Sequence, residues 1–427
     1  MIWVKALLWI GLIAGASVEW GWIEQPIDHY LQAGKFKQRF LKMGNGSADA
    51  VLVVGGEETL TSNHLYKSLV RNISSSFEVV AYALEHRYYG ASYPTANLST
   101  HNLRHLSSRQ ALLDIGSFMR QKAKRWVVIG GSYGGTLAVL AKAHYPDLVI
   151  GAVASSSPIH MKLNFFEYDL HVQKALRQKG GQACLDFHHR VTEDIDREIS
   201  NGKLKKLKAQ FNCKGLDKGS FLDALTFVAN IVQYAHSGHI AKYCHGLNPK
   251  ATPEQRIAEF SRRFKAHLGT QTCQKTYNLS FLTDESLGGN TRQWYYQCCT
   301  EFGFWQTAPE PPTPTIRSIL IDVNFYSKYF CQRIFGKDLP KRNHPKILSL
   351  ENILMTNGEL DPWATISTSN ITIVGASHSI DLDLLDPLDP PAVKKVKLQI
   401  IKTIEKFFFN QTTKTTLNFD PNHQKPT

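Results

Sequence analysis

The first part of the chain alternates between short apolar runs and amphipathic segments. Residues 107–123 have the apolar spacing of a helix, and 37–43 alternate between apolar and polar residues as an edge strand does. Strands that alternate with helices predict a mostly parallel sheet. Continuous apolar runs with the length of buried strands occur at 50–54, 77–84, 126–129 and 149–155.

The pattern changes near residue 160. Helical periodicity dominates 160–346, and no clear run of parallel-strand character interrupts it. Strand character returns at 351–356 and 370–374, and an amphipathic helix is predicted over 390–409. We interpret the chain as one α/β sheet carrying a helical insertion, and not as two tandem domains.

A glycine-rich turn connects the third apolar run to a segment of good helix formers. Its sequence is Gly130-Gly-Ser-Tyr-Gly-Gly135, which contains Gly-x-Ser-x-Gly between a strand and a helix. This arrangement is the nucleophile elbow of an α/β hydrolase, and it predicts Ser132 as the nucleophile. The N–H of Tyr133, directly after it, is expected to contribute to the oxyanion hole. A turn without chemistry is the alternative.

The order of residues along the chain selects the partners of Ser132. In α/β hydrolases an Asp or Glu and then a His follow the nucleophile, each after a late strand. Glu359 and Asp361 follow the strand predicted at 351–356. The histidines beyond Asp361 are His378, in a loop after a strand, and His423, in a polar tail. We therefore predict His378 as general base and Asp361 as its acid, with Glu359 as the rival acid.

Another loop at the carboxyl edge of the sheet follows the run 50–54. It reads Gly55-Gly-Glu-Glu58. Ligands of open α/β folds bind at this edge, so Gly56 is a candidate for a second oxyanion N–H, with a plain turn as the alternative. A nearby polar segment, Glu85-His-Arg-Tyr-Tyr-Gly90, is interpreted as a hydrogen-bonded structural corner, since buried charges need partners.

The amino terminus resembles a secretory signal. Residues 1–16 combine Lys5, an apolar stretch and the small residues Ala14-Gly-Ala16, and no later apolar run reaches the length of a membrane span. A secreted or lysosomal glycoprotein is therefore expected. Asn-x-Ser/Thr sequons occur at Asn45, Asn72, Asn97, Asn278, Asn370 and Asn410.

Composition limits the partners. The chain of 427 residues is 43% hydrophobic and 20% charged, as expected for a globular protein, and its net charge of +13 is scattered. Basic and aromatic residues do not alternate along one face, so no nucleic-acid partner is predicted. The predicted regions are signal peptide 1–16, hydrolase domain 17–159 and 347–410, helical insertion 160–346, and polar tail 411–427.

The seven cysteines are confined to the middle of the chain. This confinement indicates a disulfide-bonded insertion, and the odd number leaves one thiol, predicted within the adjacent pair Cys298-Cys299. No CxxC is present and the expected compartment oxidises thiols, so no metal site is expected. No cofactor is expected either. The cysteines are Cys184, Cys213, Cys244, Cys273, Cys298, Cys299 and Cys331.

Several segments together resemble the serine peptidase family of lysosomal prolyl carboxypeptidase, dipeptidyl peptidase II and thymus-specific serine protease. They run in family order from the predicted mature start nearly to the end of the chain. Residues around 106–109 and 300–303 are most similar to the thymus-specific branch. The matching segments are 25–30, 85–90, 130–135, 154–158, 296–304, 357–363 and 375–378.

The resemblance implies an α/β hydrolase with a helical cap that cleaves peptides at acid pH, often beside proline. It places the catalytic roles on Ser132, Asp361 and His378, and it implies that Trp363 walls the pocket for the residue before the cleaved bond. Structural packing is the alternative role of that tryptophan. By analogy, the implied disulfides are Cys184–Cys331, Cys213–Cys273 and Cys244–Cys299, with Cys298 free.

The chain departs from the family pattern at two places. Glu58 is a second glutamate where the family usually has glycine, and the segment from Asp361 to His378 is shorter than usual. A dipeptidyl peptidase needs an anion for the substrate amine, for which Glu57 and Glu58 are candidates. A carboxypeptidase needs a cation or hydrogen-bond donors for the terminal carboxylate, and no single residue provides an obvious one.

We therefore expect a secreted or lysosomal serine exopeptidase that acts on peptides. The sequence leaves open whether the protein removes residues from the amino or the carboxyl end, and whether it forms a homodimer. The alternatives are a catalytically silent hydrolase-fold binding protein and an esterase or lipase.

Overall fold

The computed structural model describes residues 17–45, 48–235, 238–339 and 351–409. The predicted signal peptide, the polar tail and the sequon at Asn410 lie outside these residues. The strands are β1 (Val18–Asp28), β2 (Ala33–Met43), β3 (Asp49–Val54), β4 (Val80–Leu84), β5 (Arg125–Gly131), β6 (Val149–Ser155), β7 (Lys162–Asn164), β8 (Gly303–Trp305), β9 (Ile353–Gly358) and β10 (Ile371–Ile373).

Eight of these strands form one sheet, in the order β1-β2-β4-β3-β5-β6-β9-β10. Pairing is antiparallel from β1 to β4 and parallel across the rest, as predicted from the alternating pattern. The expectation that 37–43 forms an edge strand is wrong, because β1 covers it. Sequence patterning missed β1, whose Trp20 and Trp22 are exposed. Within the described part of the chain, β1 is an edge strand of the sheet.

The helices lie on both sides of the sheet and in the insertion. They are α1 (Asn63–Tyr66), α2 (Leu69–Phe77), α3 (Ser108–Lys122), α4 (Ser132–His144), α5 (Phe166–Gly180), α6 (Gln182–Ser200), α7 (Leu204–Gln210), α8 (Lys218–Ala224), α9 (Phe227–Gln233), α10 (His239–Cys244), α11 (Pro253–Leu268), α12 (Cys273–Tyr277), α13 (Ser280–Thr283), α14 (Thr291–Gln297), α15 (Val323–Phe325), α16 (Arg333–Phe335) and α17 (Pro391–Phe409).

Two apolar cores flank the sheet. On one face, α2 and α17 pack against the central strands, and the buried residues Val393, Val396, Ile400 and Ile404 of α17 follow the spacing of a helical stripe. On the other face, α3 and α4 pack, and this second core continues into the helical insertion. The α/β-hydrolase fold class predicted from the sequence is confirmed.

The helical insertion connects β6 to β9, which are neighbours in the sheet. The chain therefore leaves the carboxyl edge of β6, builds the helical region, and returns beside its starting strand. A short parallel pair of β7 and β8 lies within this region, which sequence patterning predicted to lack such strands. The exact boundaries at 160 and 346 stay predictions, and the second lies outside the described residues.

Among the described residues, three disulfides connect segments of the insertion, and two of the pairings implied by the resemblance, Cys184–Cys331 and Cys244–Cys299, are wrong. Cys298 is free and buried. The reason is packing: the beginning of α6 meets the end of α10, and bridged cysteines need Cα atoms about 4.4–6.8 Å apart. The observed bridges, with their Cα separations, are Cys184–Cys244 at 5.3 Å, Cys213–Cys273 at 5.2 Å and Cys299–Cys331 at 5.4 Å.

The polar segment 85–90 forms a buried hydrogen-bonded corner. Glu85 accepts hydrogen bonds from Arg39 Nη2 at 2.6 Å and from Ser92 Oγ at 2.8 Å. Arg87 donates to both carboxylate oxygens of Asp114, at 2.6 and 2.7 Å, and both side chains are fully buried. Burial alone would raise the pKa of Asp114, but the Arg87 guanidinium outweighs it and the net shift is downward.

We expect Asp114→Asn to reduce the free energy of unfolding by about 3–5 kcal/mol, because it leaves the Arg87 charge buried without its counterion. Chemical denaturation followed by circular dichroism measures this loss. Glu24→Gln is the control, since Glu24 pairs with Lys35 on the exposed surface and should contribute less than about 1 kcal/mol. Equal effects of the two substitutions would contradict the prediction.

Candidate active site

The site begins at the sharp turn between β5 and α4. β5 ends at Gly131 and α4 begins at Ser132, whose φ of +51° lies in the left-handed region that non-glycine residues rarely adopt. Backbone strain of this kind is characteristic of the nucleophile elbow, where it holds the serine hydroxyl clear of the sheet. The local geometry is therefore that expected for a nucleophilic serine.

Glycines allow the elbow to pack against itself and against β3. A methyl group on Gly130 would lie 2.3 Å from the carbonyl carbon of Gly134, and one on Gly134 would lie 2.5 Å from the carbonyl oxygen of Val54. Neither position can hold a side chain without moving the backbone. The start of α4 is thus fixed directly above the end of β3 and the loop that follows it.

The predicted acid and base meet at the ends of β9 and β10. His378 Nδ1 and Asp361 Oδ2 are 3.0 Å apart, and the Asp361 carboxylate is fully buried. Asp361 Oδ1 also accepts the backbone N–H of Trp363 at 3.1 Å. In the neutral tautomer with Nδ1 donating to Asp361, the Nε2 atom of His378 is an acceptor.

Glu359 is directed elsewhere. Its Oε2 atom accepts the backbone N–H of Gly375 at 2.9 Å, which fixes the turn after β10. The carboxylate on the histidine belongs to Asp361, so the geometry favours Asp361 over Glu359 as the orienting acid.

Ser132 and His378 line a single cavity of about 640 Å³. Gly56, Glu57 and Tyr234 line it as well. Within the described residues, no hydrogen bond joins Ser132 Oγ to His378 in this structure. Such contacts are often long in a free enzyme and tighten when substrate binds.

Electrostatics favour a positively charged His378. Burial alone would lower the pKa of His378, but the charge and hydrogen bond of Asp361 outweigh it and the net shift is upward from 6.5. Glu57 and Asp381 add to the upward shift. Burial raises the pKa of Glu57, although the neighbouring histidine opposes this. The cavity is therefore suited to stabilising an imidazolium.

The two predicted oxyanion donors lie on adjoining backbone segments. Tyr133 is the second residue of α4, so its N–H has no acceptor within the helix. The loop at Gly56 passes the same helix start: a methyl group on Gly56 would lie 3.1 Å from the amide nitrogen of Gly134. The Tyr133 side chain points away into a buried network, with its hydroxyl 3.0 Å from His86 Nε2 and 3.1 Å from Gln297 Nε2.

Glu57 and Glu58 have different surroundings. Glu58 is exposed and pairs with His64 Nε2 at 2.9 Å, on the rim of the cavity. Glu57 is half-buried, and its charge acts on His378. Of the two glutamates, Glu57 is therefore the one whose charge contributes to the raised pKa of His378.

Trp363 lies beside the base in an aromatic cluster. Its ring centroid is 6.4 Å from that of His378 and 5.4 Å from that of Phe304, and the side chain is buried. It lines a second cavity, within the helical insertion, and not the cavity that contains Ser132. Its position suits either a pocket wall or packing.

Sequence reasoning missed Gln233 and Tyr234, which the insertion contributes from the end of α9. The Gln233 carbonyl accepts the backbone N–H of His378 at 3.0 Å. Its side-chain oxygen accepts Tyr168 Oη at 2.5 Å and Trp363 Nε1 at 3.0 Å. The Tyr234 ring stands edge-on to His378 at 5.9 Å. No local sequence signal marks these residues, because their partners are distant in the chain.

The predicted sequons differ in exposure. Asn45, Asn97 and Asn370 are exposed, whereas Asn72 and Asn278 are half-buried. Glycosylation of these residues stays a prediction. Among the described residues, no cluster of three or more His, Cys, Asp or Glu is arranged to hold a metal ion, and none of the helices is long and apolar enough to cross a bilayer.

Comparison with known proteins gives one family. The model of a family described as serine carboxypeptidase S28 matches residues 25–400. A putative serine protease of Caenorhabditis elegans is 28% identical over 89% of this chain and 86% of its own. The mouse thymus-specific serine protease is 26% identical over 92% and 88%, and the bovine lysosomal Pro-X carboxypeptidase is 25% identical over 91% and 87%.

The alignments with solved structures are more distant. The proline iminopeptidase of Mycobacterium smegmatis aligns over 91% of this chain and 98% of its own, at 12% identity and a TM-score of 0.42. An α/β-fold hydrolase of Bacillus anthracis aligns over 91% and 99%, at 10% identity and a TM-score of 0.36.

We expect Asp361→Asn to lower kcat on the order of 10⁴-fold, because the amide no longer stabilises the imidazolium or fixes its tautomer. Glu359→Gln should change kcat less than about tenfold, since its amide oxygen can still accept from Gly375 N. Steady-state kinetics on a peptide substrate compares the two variants. The prediction fails if Glu359→Gln is the more damaging change.

The wild type and the Asp361→Asn variant also give a pH test. Because the base must be neutral and the pKa of His378 is raised, wild-type kcat/KM should be higher at pH 7 than at pH 5. Loss of the Asp361 charge should move this rising limb to lower pH. An unshifted limb would mean that His378 is not the titrating base.

We expect Gln233→Leu to lower kcat about tenfold or more, since it removes the acceptor of two buried donors and loosens the segment that anchors His378. Gln233→Glu keeps an acceptor oxygen and should retain most of kcat. Kinetics of both variants, with thermal melting as a check on folding, measures the difference. A wild-type kcat in Gln233→Leu would contradict the positioning role.

Proposed function

Because the chain belongs to the serine carboxypeptidase S28 family, we propose that it is a secreted or lysosomal serine exopeptidase with a Ser132–Asp361–His378 triad. Family membership itself makes it a serine-type peptidase with an α/β-hydrolase fold, and its substrates are peptides. It also confirms the resemblance found in the sequence. The triad, the exopeptidase mode, the preference for proline and the location are parts of the proposal.

The observation that carries the triad is the buried Asp361–His378 hydrogen bond of 3.0 Å beside the cavity that holds Ser132. In this proposal, Asp361 holds the ring through Nδ1 and leaves Nε2 to accept the proton of the nucleophile. In the proposed reaction, His378 takes the Ser132 proton as Oγ attacks the peptide carbonyl. The resulting imidazolium is stabilised by Asp361 and then donates the proton to the leaving amine.

The acyl-enzyme is resolved by the same groups. Water, deprotonated by His378, attacks the Ser132 ester, and the proton returns to Oγ when the ester bond breaks. Negative charge develops on the carbonyl oxygen in both steps. The N–H groups of Tyr133 and Gly56 are proposed to bind it, as the start of α4 and the loop after β3 lie in contact.

Preference near proline is proposed from the relatives and from the aromatic surroundings of Trp363. The bovine relative is named a Pro-X carboxypeptidase, and Trp363 packs among Phe165, Tyr168 and Phe304. A flat aromatic surface suits the rigid ring of proline before the cleaved bond. Glu57 is proposed to contact substrate within the catalytic cavity, and Glu58 to do so from its rim.

A secretory or lysosomal location is proposed from three independent features. Residues 1–16 read as a signal peptide, the insertion contains three disulfides, and the bovine relative is named a lysosomal protein. Disulfides persist in oxidising compartments, so all three features agree with the secretory route.

We expect the folded protein to react covalently with a fluorophosphonate probe and Ser132→Ala to abolish the reaction. The physical reason is that the probe phosphonylates only an activated serine. Gel fluorescence and intact-protein mass spectrometry measure the labelling. Absence of labelling in correctly folded protein would favour a silent binding protein of the same fold.

Product analysis then separates the remaining alternatives. A mixed peptide pool is digested at pH 5 and pH 7, and the products are identified by mass spectrometry. Loss of two residues from the amino end indicates a dipeptidyl peptidase, and loss of one from the carboxyl end indicates a carboxypeptidase. Hydrolysis of lipid esters without peptide turnover would overturn the peptidase mode.

A further inference from the structure

A second cavity of about 520 Å³ lies in the helical insertion; we call it the insertion cavity. It is lined by Trp294, Tyr295, Phe304 and Trp363, and it is separate from the cavity that contains Ser132. Trp363 connects the two regions, since its ring is 6.4 Å from that of His378. The insertion cavity therefore lies on the side proposed for the substrate residues before the cleaved bond.

The deep wall of the insertion cavity is aromatic. Trp305 stacks on Tyr326 with centroids 4.6 Å apart and planes 17° from parallel, and the Tyr295 ring lies 6.0 Å from Trp305. All three residues line the cavity. Aromatic faces carry negative potential and attract cations.

A carboxylate without a full counterion lies in this wall. Asp223, in α8, lines the insertion cavity and is half-buried, and its carboxylate forms no hydrogen bond with any described residue. Arg317 is near, but its guanidinium donates to Asp169 at 3.3 Å. Burial raises the pKa of Asp223 to about 6, and the partial compensation by Arg317 does not reverse it.

Asp223 belongs to the same part of the cavity as the stacked rings. Burial raises the pKa values of Tyr295 and Tyr326, and the Asp223 charge contributes to the upward shift of both. The carboxylate is therefore within electrostatic reach of the rings that pack on Trp305. An approaching cation would meet the carboxylate and the aromatic faces together.

Trp305 also has an unused donor. Its Nε1 atom is buried and has no acceptor among the described residues, and only 3% of the residue is exposed to solvent. A buried N–H without an acceptor costs about 1–3 kcal/mol, so native structures rarely leave one unpaired. A bound group with a carbonyl oxygen would satisfy it.

We propose that the insertion cavity binds the ammonium group of a peptide substrate, with Asp223 as its anion and Trp305 Nε1 donating to a carbonyl oxygen of the same residue. An amino-terminal residue offers both groups a few atoms apart. A lysine side chain offers the same cation at a greater distance from its carbonyl. The inference rests on the proposed peptidase function and adds a subsite for the charge of the substrate.

The other charged residues that line the cavity have different surroundings. Arg292 donates to the carbonyl oxygen of Leu98 at 2.8 Å, and Lys275 is exposed. Asp284 is exposed and accepts the backbone N–H of Ser286 at 2.9 Å. Asp284 is therefore a matched control: a carboxylate of the same cavity that is solvated and already hydrogen-bonded.

The test measures binding without turnover, in the full-length Ser132→Ala protein. Isothermal titration compares alanyl-prolinamide, N-acetyl-alanyl-prolinamide and Nα-acetyl-lysyl-prolinamide. We expect acetylation of the amine to weaken binding roughly 10- to 100-fold, as expected for loss of a charge-assisted hydrogen bond. The lysyl compound identifies the source of the cation. If it binds more tightly than N-acetyl-alanyl-prolinamide, the cavity binds a lysine side chain. If it binds as weakly, the cavity binds the terminal amine.

Variants in the same Ser132→Ala background locate the anion. Asp223→Asn should remove the preference for the charged ligand, Trp305→Phe should weaken all ligands that bind, and Asp284→Asn should leave the preference intact. Equal affinity for the three ligands, no binding at all, or a preference that survives Asp223→Asn would each overturn the inference. If Asp223→Asn does not fold, Trp305→Phe and the ligand comparison decide alone.

The outcome is distinguishable from failure of the proposed function. Fluorophosphonate labelling and peptide turnover by the wild type test the triad and do not depend on Asp223. If the probe labels the wild type but the three ligands bind the Ser132→Ala protein equally, the peptidase function is retained and the subsite is rejected.

Discussion

The close contact between the start of α4 and the end of β3 is the constraint on which the rest of the site depends. Gly134 lies so close to the Val54 carbonyl that a single added methyl group would be 2.5 Å from it. This contact holds Ser132 at its positive φ and brings the N–H groups of Tyr133 and the loop at Gly56 to the same place. The strain at Ser132 persists because surrounding backbone leaves no room for the turn to relax.

The helical insertion completes what the sheet begins. Gln233 accepts the backbone N–H of His378 and binds Trp363, while Gln297 binds the hydroxyl of Tyr133. His378, Trp363 and Tyr133 are therefore each hydrogen-bonded to the insertion. A movement of the insertion would be transmitted to both sides of the reacting centre through these buried bonds, which are costly to break.

Local patterning predicted the buried strands and the alternating strand β2, but it missed β1. The runs that became β3, β4, β5 and β6 are continuous and apolar, so a short window is sufficient to identify them. β1 contains exposed tryptophans and a proline, which are not typical of a buried strand. It is a strand because it pairs with β2. Of the disulfides implied by the resemblance, Cys213–Cys273 is present and the other two are not, because pairing depends on which segments of the insertion meet.

The sequence by itself determined the fold class and the candidate triad. The elbow is a local motif, and chain order left Ser132 with His378 as its credible base. The sequence favoured Asp361 over Glu359, and only the tertiary structure shows how their contacts differ: the Asp361 carboxylate faces His378, and that of Glu359 faces Gly375 N. The tertiary structure alone also brought Gln233 to His378, and Asp223 and Trp305 to the lining of one cavity, since no local pattern connects these residues.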